Sequence, residues 1–143
     1  MSQSRWVSLS VFGLAMVLLG SCAEIRNVEE AASRFTAPAE FVLTDSETLN
    51  AFEEVQRQLT YTTASDGDEA CELGHQALED WAGVSPELWE REAPRLLCRF
   101  ELFDAPNFPE IDFAAVDVAR SLTGSAGPGG VSEITVTFAV DKS

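Results

Sequence analysis

The stretch Val131 to Val140 narrows most what this chain can fold into. Ile134, Val136, Phe138 and Val140 lie on one side of an extended backbone, and Glu133, Thr135 and Thr137 on the other. A period of two marks a strand buried on one face. Just before it stands Gly124-Ser125-Ala126-Gly127-Pro128-Gly129-Gly130, which is too rich in Gly and Pro for regular structure and reads as a turn. Val116 to Leu122 is the strand candidate on the other side of that turn. The two make a C-terminal β-hairpin, with a connection longer than the tight two-residue kind. A hairpin alone is marginal in water, so the rest of the chain must cover its apolar face. A strand this close to Ser143 is also expected to leave an open sheet edge, able to take a strand from a partner.

Upstream, Phe41-Val42-Leu43 reads as a short strand. Leu49, Phe52, Val55 and Leu59 recur at near-helical spacing after Thr44-Asp45, with Glu47 three residues beyond Thr44. That is a capping pattern followed by an apolar stripe, and it predicts a helix from Ser46 to Leu59. Thr60 to Asp68 reads as a loop. Glu69 to Trp81 is a second helix, and Ser85-Pro86-Glu87 has the cap, proline and acid of a helix start. Arg95 to Phe103 alternates in part and reads as a strand with Cys98 turned to the core. The expected fold is a small α+β domain, a mostly antiparallel sheet packed against one or two helices.

The N-terminus has its own grammar. Arg5 supplies a lone positive charge, Trp6 to Leu19 is apolar or small, and Leu19-Gly20-Ser21-Cys22 follows. The first three features make a secretory signal peptide, residues 1–21. Its apolar run is too short for a comfortable membrane span of about 20 residues. The last four residues resemble the bacterial lipobox. The resemblance implies diacylglycerol on the Cys22 sulfur, cleavage before Cys22 and a further acyl chain, palmitate in type, on the new amine. Two or more acyl chains anchor a protein stably where one does not. The alternative is an uncleaved N-terminal anchor. Ala23 after the cysteine resembles outer-membrane sorting. The expected address is the bacterial cell envelope, on the outer membrane, facing the periplasm or the surface. Residues 22–38 read as the lipidated end and a tether with at most a weak helical stretch, and 39–143 as a single domain.

Cleavage would leave about 120 residues, enough for one ordinary domain. The net charge of −15 argues against nucleic acid and against a basic face docking on anionic lipid. Cys71 and Cys98 remain beyond Cys22. In an oxidising compartment an even pair reads as a disulfide. Two buried thiols, or a metal site shared with His75, are the alternatives.

The order of these pieces resembles the PrcB-like family of protease-complex subunits. The residues that carry it are Phe41 to Phe52, Pro109-Glu110-Ile111-Asp112-Phe113, the strand Val116 to Leu122, then Gly124, Gly129-Gly130 and Ser132 to Val136. The resemblance implies an envelope lipoprotein with a small α+β domain and a protein partner, a secreted protease among the candidates. It covers about Phe41 to Val140. Glu69 to Leu102 does not map onto it, and the family's further strands after the hairpin have no counterpart before Ser143, as for a minimal version of the domain or an incomplete sequence. It brings no catalytic residues.

Few side chains suggest chemistry. His75 is the only histidine, so a Ser/His/Asp mechanism would have to use it. Glu72 and Glu79 neighbour it on a helix, as surface electrostatics commonly arrange. Asp66-Gly67-Asp68-Glu69 is an acidic turn without the alternating ligands of an EF-hand. Gly124, Gly127, Gly129 and Gly130 lack the Lys-Ser/Thr ending of a P-loop, but their amides offer a place for a peptide or anion. Trp81 and Trp89 are candidates for an aromatic contact surface, set against plain core packing. No cofactor or metal is expected. The sequence thus points to a non-catalytic, lipid-anchored protein that binds or scaffolds an envelope protein, the alternative being a lipoprotein for a small ligand, glycan or cation.

Overall fold

The computed structural model describes residues 22–91, 93–121 and 131–142. They form one six-stranded antiparallel sheet with two helices on a single face. The strands are β1 (Val42–Asn50), β2 (Glu54–Thr63), β3 (Glu87–Leu88), β4 (Leu96–Leu102), β5 (Phe113–Arg120) and β6 (Ser132–Asp141). Across the sheet they run β1-β2-β6-β5-β4-β3. The helices are α1 (residues 22–33) and α2 (Gly67–Ala82).

The alternation of β6 does what its pattern requires. Ile134, Val136 and Phe138 are fully buried on the helix side. β5 pairs with β6 from Phe113↔Ala139 to Arg120↔Ser132, so the expected hairpin strands are partners, with the first one beginning earlier than its Val-rich run. The glycine-rich connection lies outside the described residues. β6 is not an edge, however. It sits between β5 and β2, and β2 pairs with it over its whole length, from Glu54↔Asp141 to Thr63↔Ser132.

That pairing overturns the helix expected from Ser46 to Leu59. The segment is the β1–β2 hairpin, turning at Ala51, whose N–H donates to the Glu54 carbonyl at 3.0 Å. Of the four apolar residues in the supposed stripe, Val55 and Leu59 are buried while Leu49 and Phe52 are exposed. Val55 faces Val140, Leu59 faces Val136 and Tyr61 faces Ile134. Cross-strand burial against a preformed apolar strand outweighs a local helical pattern, because helices draw most of their stability from packing. The loop expected from Thr60 shrinks accordingly, since Thr60 to Thr63 complete β2. Thr44 and Asp45 do not cap a helix. They sit at a bulge in β1, where the Thr44 hydroxyl donates to the Thr60 carbonyl at 3.1 Å.

α2 matches its sequence pattern. The Asp66 carboxylate accepts from the Glu69 N–H at 2.8 Å, so the acidic turn is an N-cap. At the other end Gly83 takes φ 84° and its N–H donates to the Glu79 carbonyl, a left-handed C-cap that glycine adopts without steric cost. Asn107 then meets the last turn, donating from its backbone to the Ala82 carbonyl and from its side chain to the Trp81 carbonyl. Ser85-Pro86-Glu87 starts no helix. Pro86 is buried and the chain goes on into the short strand β3.

The segment read as a slack tether is instead α1, which belongs to the core. Val28, Ala31, Ala32 and Phe35 are buried. Phe35 meets the Phe138 ring edge-on at 5.8 Å. The Trp81 indole N–H donates to the Ala31 carbonyl at 2.9 Å, tying α1 to α2. Cys71 of α2 is bonded to Cys98 of β4, with Cα atoms 6.2 Å apart. The disulfide reading therefore stands over free thiols and over a metal shared with His75.

Candidate functional site

One face of the sheet carries no helix, and its charged centre is Arg99 on β4. Alternation points Arg99 and Glu101 to that face, while Cys98 and Phe100 meet α2. The Arg99 Nη1 lies 3.0 Å from each oxygen of the Asp117 carboxylate on β5. Its Nε is 3.3 Å from Glu101. The guanidinium also stacks near two rings, 5.6 Å from the Trp89 centroid and 5.7 Å from that of Phe113. The Arg91 guanidinium approaches Trp89 too, at 5.7 Å. Burial pushes the Asp117 carboxyl above its ordinary value, and the attraction and hydrogen bonds of Arg99 offset part of that rise.

Beside this centre lies a cleft of about 560 Å³. Trp89, Pro94, Leu96 and Ala119 give it apolar walls, and Arg95, Arg99 and Arg120 bring positive charge to it. Asp117 and Glu133 also line it.

At the far side of the sheet β1 is the other edge. Among the described residues its outer backbone has no neighbouring strand in the sheet order. Val42, Leu43 and Leu49 are exposed along it, and Phe52 at the hairpin tip is 95% exposed. Asp45 and Glu47 give it negative charge. The Thr48 hydroxyl reaches Glu29 of α1 at 3.4 Å and accepts from Arg57 at 2.9 Å, linking this edge to the first helix.

The two tryptophans singled out by sequence do not share a surface. Trp81 is a core residue, 4% exposed and stacked on Phe108 at 4.5 Å. Trp89 alone reaches the open face. Their places on either side of Gly83-Val84-Ser85-Pro86 suggested a common patch. Gly124, Gly127, Gly129 and Gly130 lie outside the described residues, as does the signal-like segment 1–21. Cys22 is the first described residue of α1, a free cysteine and half-buried. Among the described residues no helix is long and apolar enough to cross a membrane.

His75 has a neighbour that its own sequence context did not reveal. The Ser85 hydroxyl lies 3.3 Å from its Nε2, and the Phe100 ring packs against the imidazole at 4.8 Å. Among the described residues no carboxylate is hydrogen-bonded to the ring, so the third member of a triad is not assembled there. Neither Glu72 nor Glu79 pairs with it. The described residues also contain no cluster of three or more His, Cys, Asp or Glu placed to hold a metal ion.

Sequence reasoning missed Arg99 and its partners. Arg99 comes from β4, Asp117 and Phe113 from β5 and Trp89 from just past the end of β3, and only the register brings them together. The available signal was the alternation of Arg99 and Glu101 with Cys98 and Phe100, which puts two opposite charges on one face.

No family model, no curated protein and no solved structure matches this chain.

Proposed function

We propose that this chain is a non-catalytic, lipid-anchored lipoprotein of the bacterial envelope that holds another envelope protein, and that β1 is the edge it offers. The observation that carries the reading is the unpaired outer side of a nine-residue strand. A strand edge of that length is a template for a strand from another chain. Backbone hydrogen bonds supply affinity there, and exposed Leu43, Leu49 and Phe52 supply apolar contacts. The acidic residues on β1 and the net charge of −15 favour a partner strand with basic residues.

Leu19-Gly20-Ser21-Cys22 supports the anchor. Because Cys22 lies within a helix that packs on the core, acylation there would hold the domain close to the bilayer, without a long linker. The secreted-protease partner implied by the PrcB-like resemblance now leans on Pro109 to Phe113 and on the two strands after it, since residues 41–52 form strand and turn. There Ile111 is buried, and the Asp112 carboxylate accepts from the Asp141 N–H at 2.7 Å.

The test is capture of the full-length, C-terminally tagged protein from native envelope after mild crosslinking. Cys22→Ser and the pair Leu43→Lys, Leu49→Lys serve as variants. One stoichiometric envelope protein, diminished by both, is the expected result. A partner retained in full by the lysine variant would remove β1 from the reading, and no partner above background would remove scaffolding itself.

A further inference from the structure

We propose that the cleft beside Trp89 binds a small organic oxyanion, a carboxylate or a phosphate monoester joined to a flat apolar body. The inference is independent of the β1 reading, because the cleft lies at the opposite end of the sheet.

Charge is the first argument. The chain carries 24 acidic residues and nine cationic ones, yet Arg91, Arg95, Arg99 and Arg120 gather at this one corner. Arg99 is committed to Asp117 and Glu101. Arg95 and Arg120, which line the cleft with Glu133, have no carboxylate within ion-pair distance among the described residues, and Arg91 stands beside it against Trp89. In so acidic a protein, guanidinium groups left without a carboxylate at a shared cleft are available to a ligand. Guanidinium is the side chain best shaped for carboxylate and phosphate oxygens.

The second argument is the backbone of Arg95. The Leu96 N–H donates to the Ala93 carbonyl at 3.2 Å, so Ala93-Pro94-Arg95-Leu96 is a turn closed on itself. Pro94 occupies its second position and Arg95, with φ 70°, its third. A turn of this kind calls for Gly or Asn at the third position, where a left-handed φ is required. Arg95 is the only described residue other than glycine with positive φ. The Arg120 N–H donates to its carbonyl at 3.0 Å, which holds the strained residue against β5. A side chain kept where stability favours glycine points to a use for that side chain.

The third argument is the shape of the cleft. A volume of about 560 Å³ lies within the range of small-molecule sites. Trp89, Pro94 and Leu96 offer apolar walls for a ring, and Arg95 and Arg120 offer donors for its anionic group. Arg99, pinned by Asp117, positions Trp89 and need not touch the ligand.

The experiment is an NMR titration of the full-length chain in nonionic detergent, following tryptophan indole and arginine side-chain resonances. Benzoate and phenyl phosphate are the probes, with acetate, inorganic phosphate and uncharged benzyl alcohol beside them. Saturable binding of at least one aryl anion at about 1 mM or tighter is expected, and about tenfold weaker binding of the anions without a ring. Which aryl anion saturates tells a carboxylate ligand from a phosphate ester. Arg95→Gly relieves the turn, so it should keep or raise the melting temperature while weakening the aryl anion about tenfold. Arg34→Gln, far from the cleft, should leave affinity unchanged. The proposal is overturned if neither aryl anion saturates by about 10 mM, if benzyl alcohol binds as well, if Arg95→Gly binds normally, or if Arg34→Gln weakens binding as much.

Discussion

Arg99 reaches across the β4–β5 pair to place one nitrogen 3.0 Å from both oxygens of Asp117. The two residues are register partners, so the contact is built into the sheet. Asp117 is partly withdrawn from water, and burial raises its carboxyl above 3.8 despite Arg99. The folded chain therefore holds that proton more tightly than the unfolded chain does. Its contribution to stability is full below the unfolded value and is lost as pH rises through the raised one. The stability of the wild type relative to Asp117→Asn should thus be greatest at acid pH and shrink toward neutrality. Urea denaturation of both proteins between pH 3.8 and neutral pH checks this, and a difference that grew with pH would contradict it.

Trp81 joins the two helices through its indole N–H and fills the space beside Phe138. Trp81→Phe keeps an aromatic ring but removes the indole donor, leaving the Ala31 carbonyl only the Arg34 N–H at 3.2 Å. A loss of about 2–3 kcal/mol is expected from the missing bond and the smaller ring. Amide exchange in residues 22–33 should rise with it. Unchanged protection there would mean that α1 is held by other contacts.

Gly74 is a point where α2 packs closely on β5. A Cβ added there would stand 2.9 Å from Cγ1 of Val116, a stiff side chain that is fully buried. Alanine gains about 1 kcal/mol of helix propensity over glycine, while overpacking costs about 1–3 kcal/mol. Gly74→Ala should be destabilising by about 1 kcal/mol on balance. Val116→Ala should then cost less in that background than alone, which a double-mutant cycle by thermal denaturation would read.

The Cys71–Cys98 bridge closes a separation of 27 residues. In the chain-entropy treatment its loss costs about 3–4 kcal/mol. Cys71→Ser with Cys98→Ser should lower the free energy of unfolding by that amount, with a steeper denaturant slope because the unlinked denatured chain exposes more surface. Intact mass with and without reduction before alkylation tests the bridge itself.

Proline distinguishes a central strand from an edge. Thr137 of β6 is buried between β2 and β5, opposite Gln58 and Ala115. Thr137→Pro should cost about 3 kcal/mol or more, enough to unfold much of the population. The exposed Leu43→Lys and Leu49→Lys changes on β1 should shift stability by about 0.5 kcal/mol or less each. A tolerated Thr137→Pro, seen as a normal melting curve, would contradict the central position of β6.

Several parts of this protein were legible in its residues alone. The alternation from Ile134 to Val140, the apolar stripe of α2 and the pairing of Cys71 with Cys98 each depend on neighbours in sequence or on a simple even count. Local rules were enough because the local signal and the tertiary demand agreed. They disagreed from Ser46 to Leu59, where Leu49, Phe52, Val55 and Leu59 mimic a helix face. β6 lies some eighty residues downstream, and no window on the sequence shows that it needs a second partner strand. The same distance hid α1, whose small residues look like slack until Trp81 and Phe138 are seen beside them.

The candidate cleft divides in the same way. Chain order by itself determined that the C-terminal half makes antiparallel strands, that a helix runs from Glu69 to Trp81 and that Cys22 stands after a secretory-type leader pattern. Tertiary structure decided that β6 is central, that β1 is the long free edge, and that Arg99 meets Asp117 beneath Trp89. A strand fixes only which side chains share a face. Which faces and edges become neighbours depends on strand order, and that is set by the burial of apolar surface over the whole sheet.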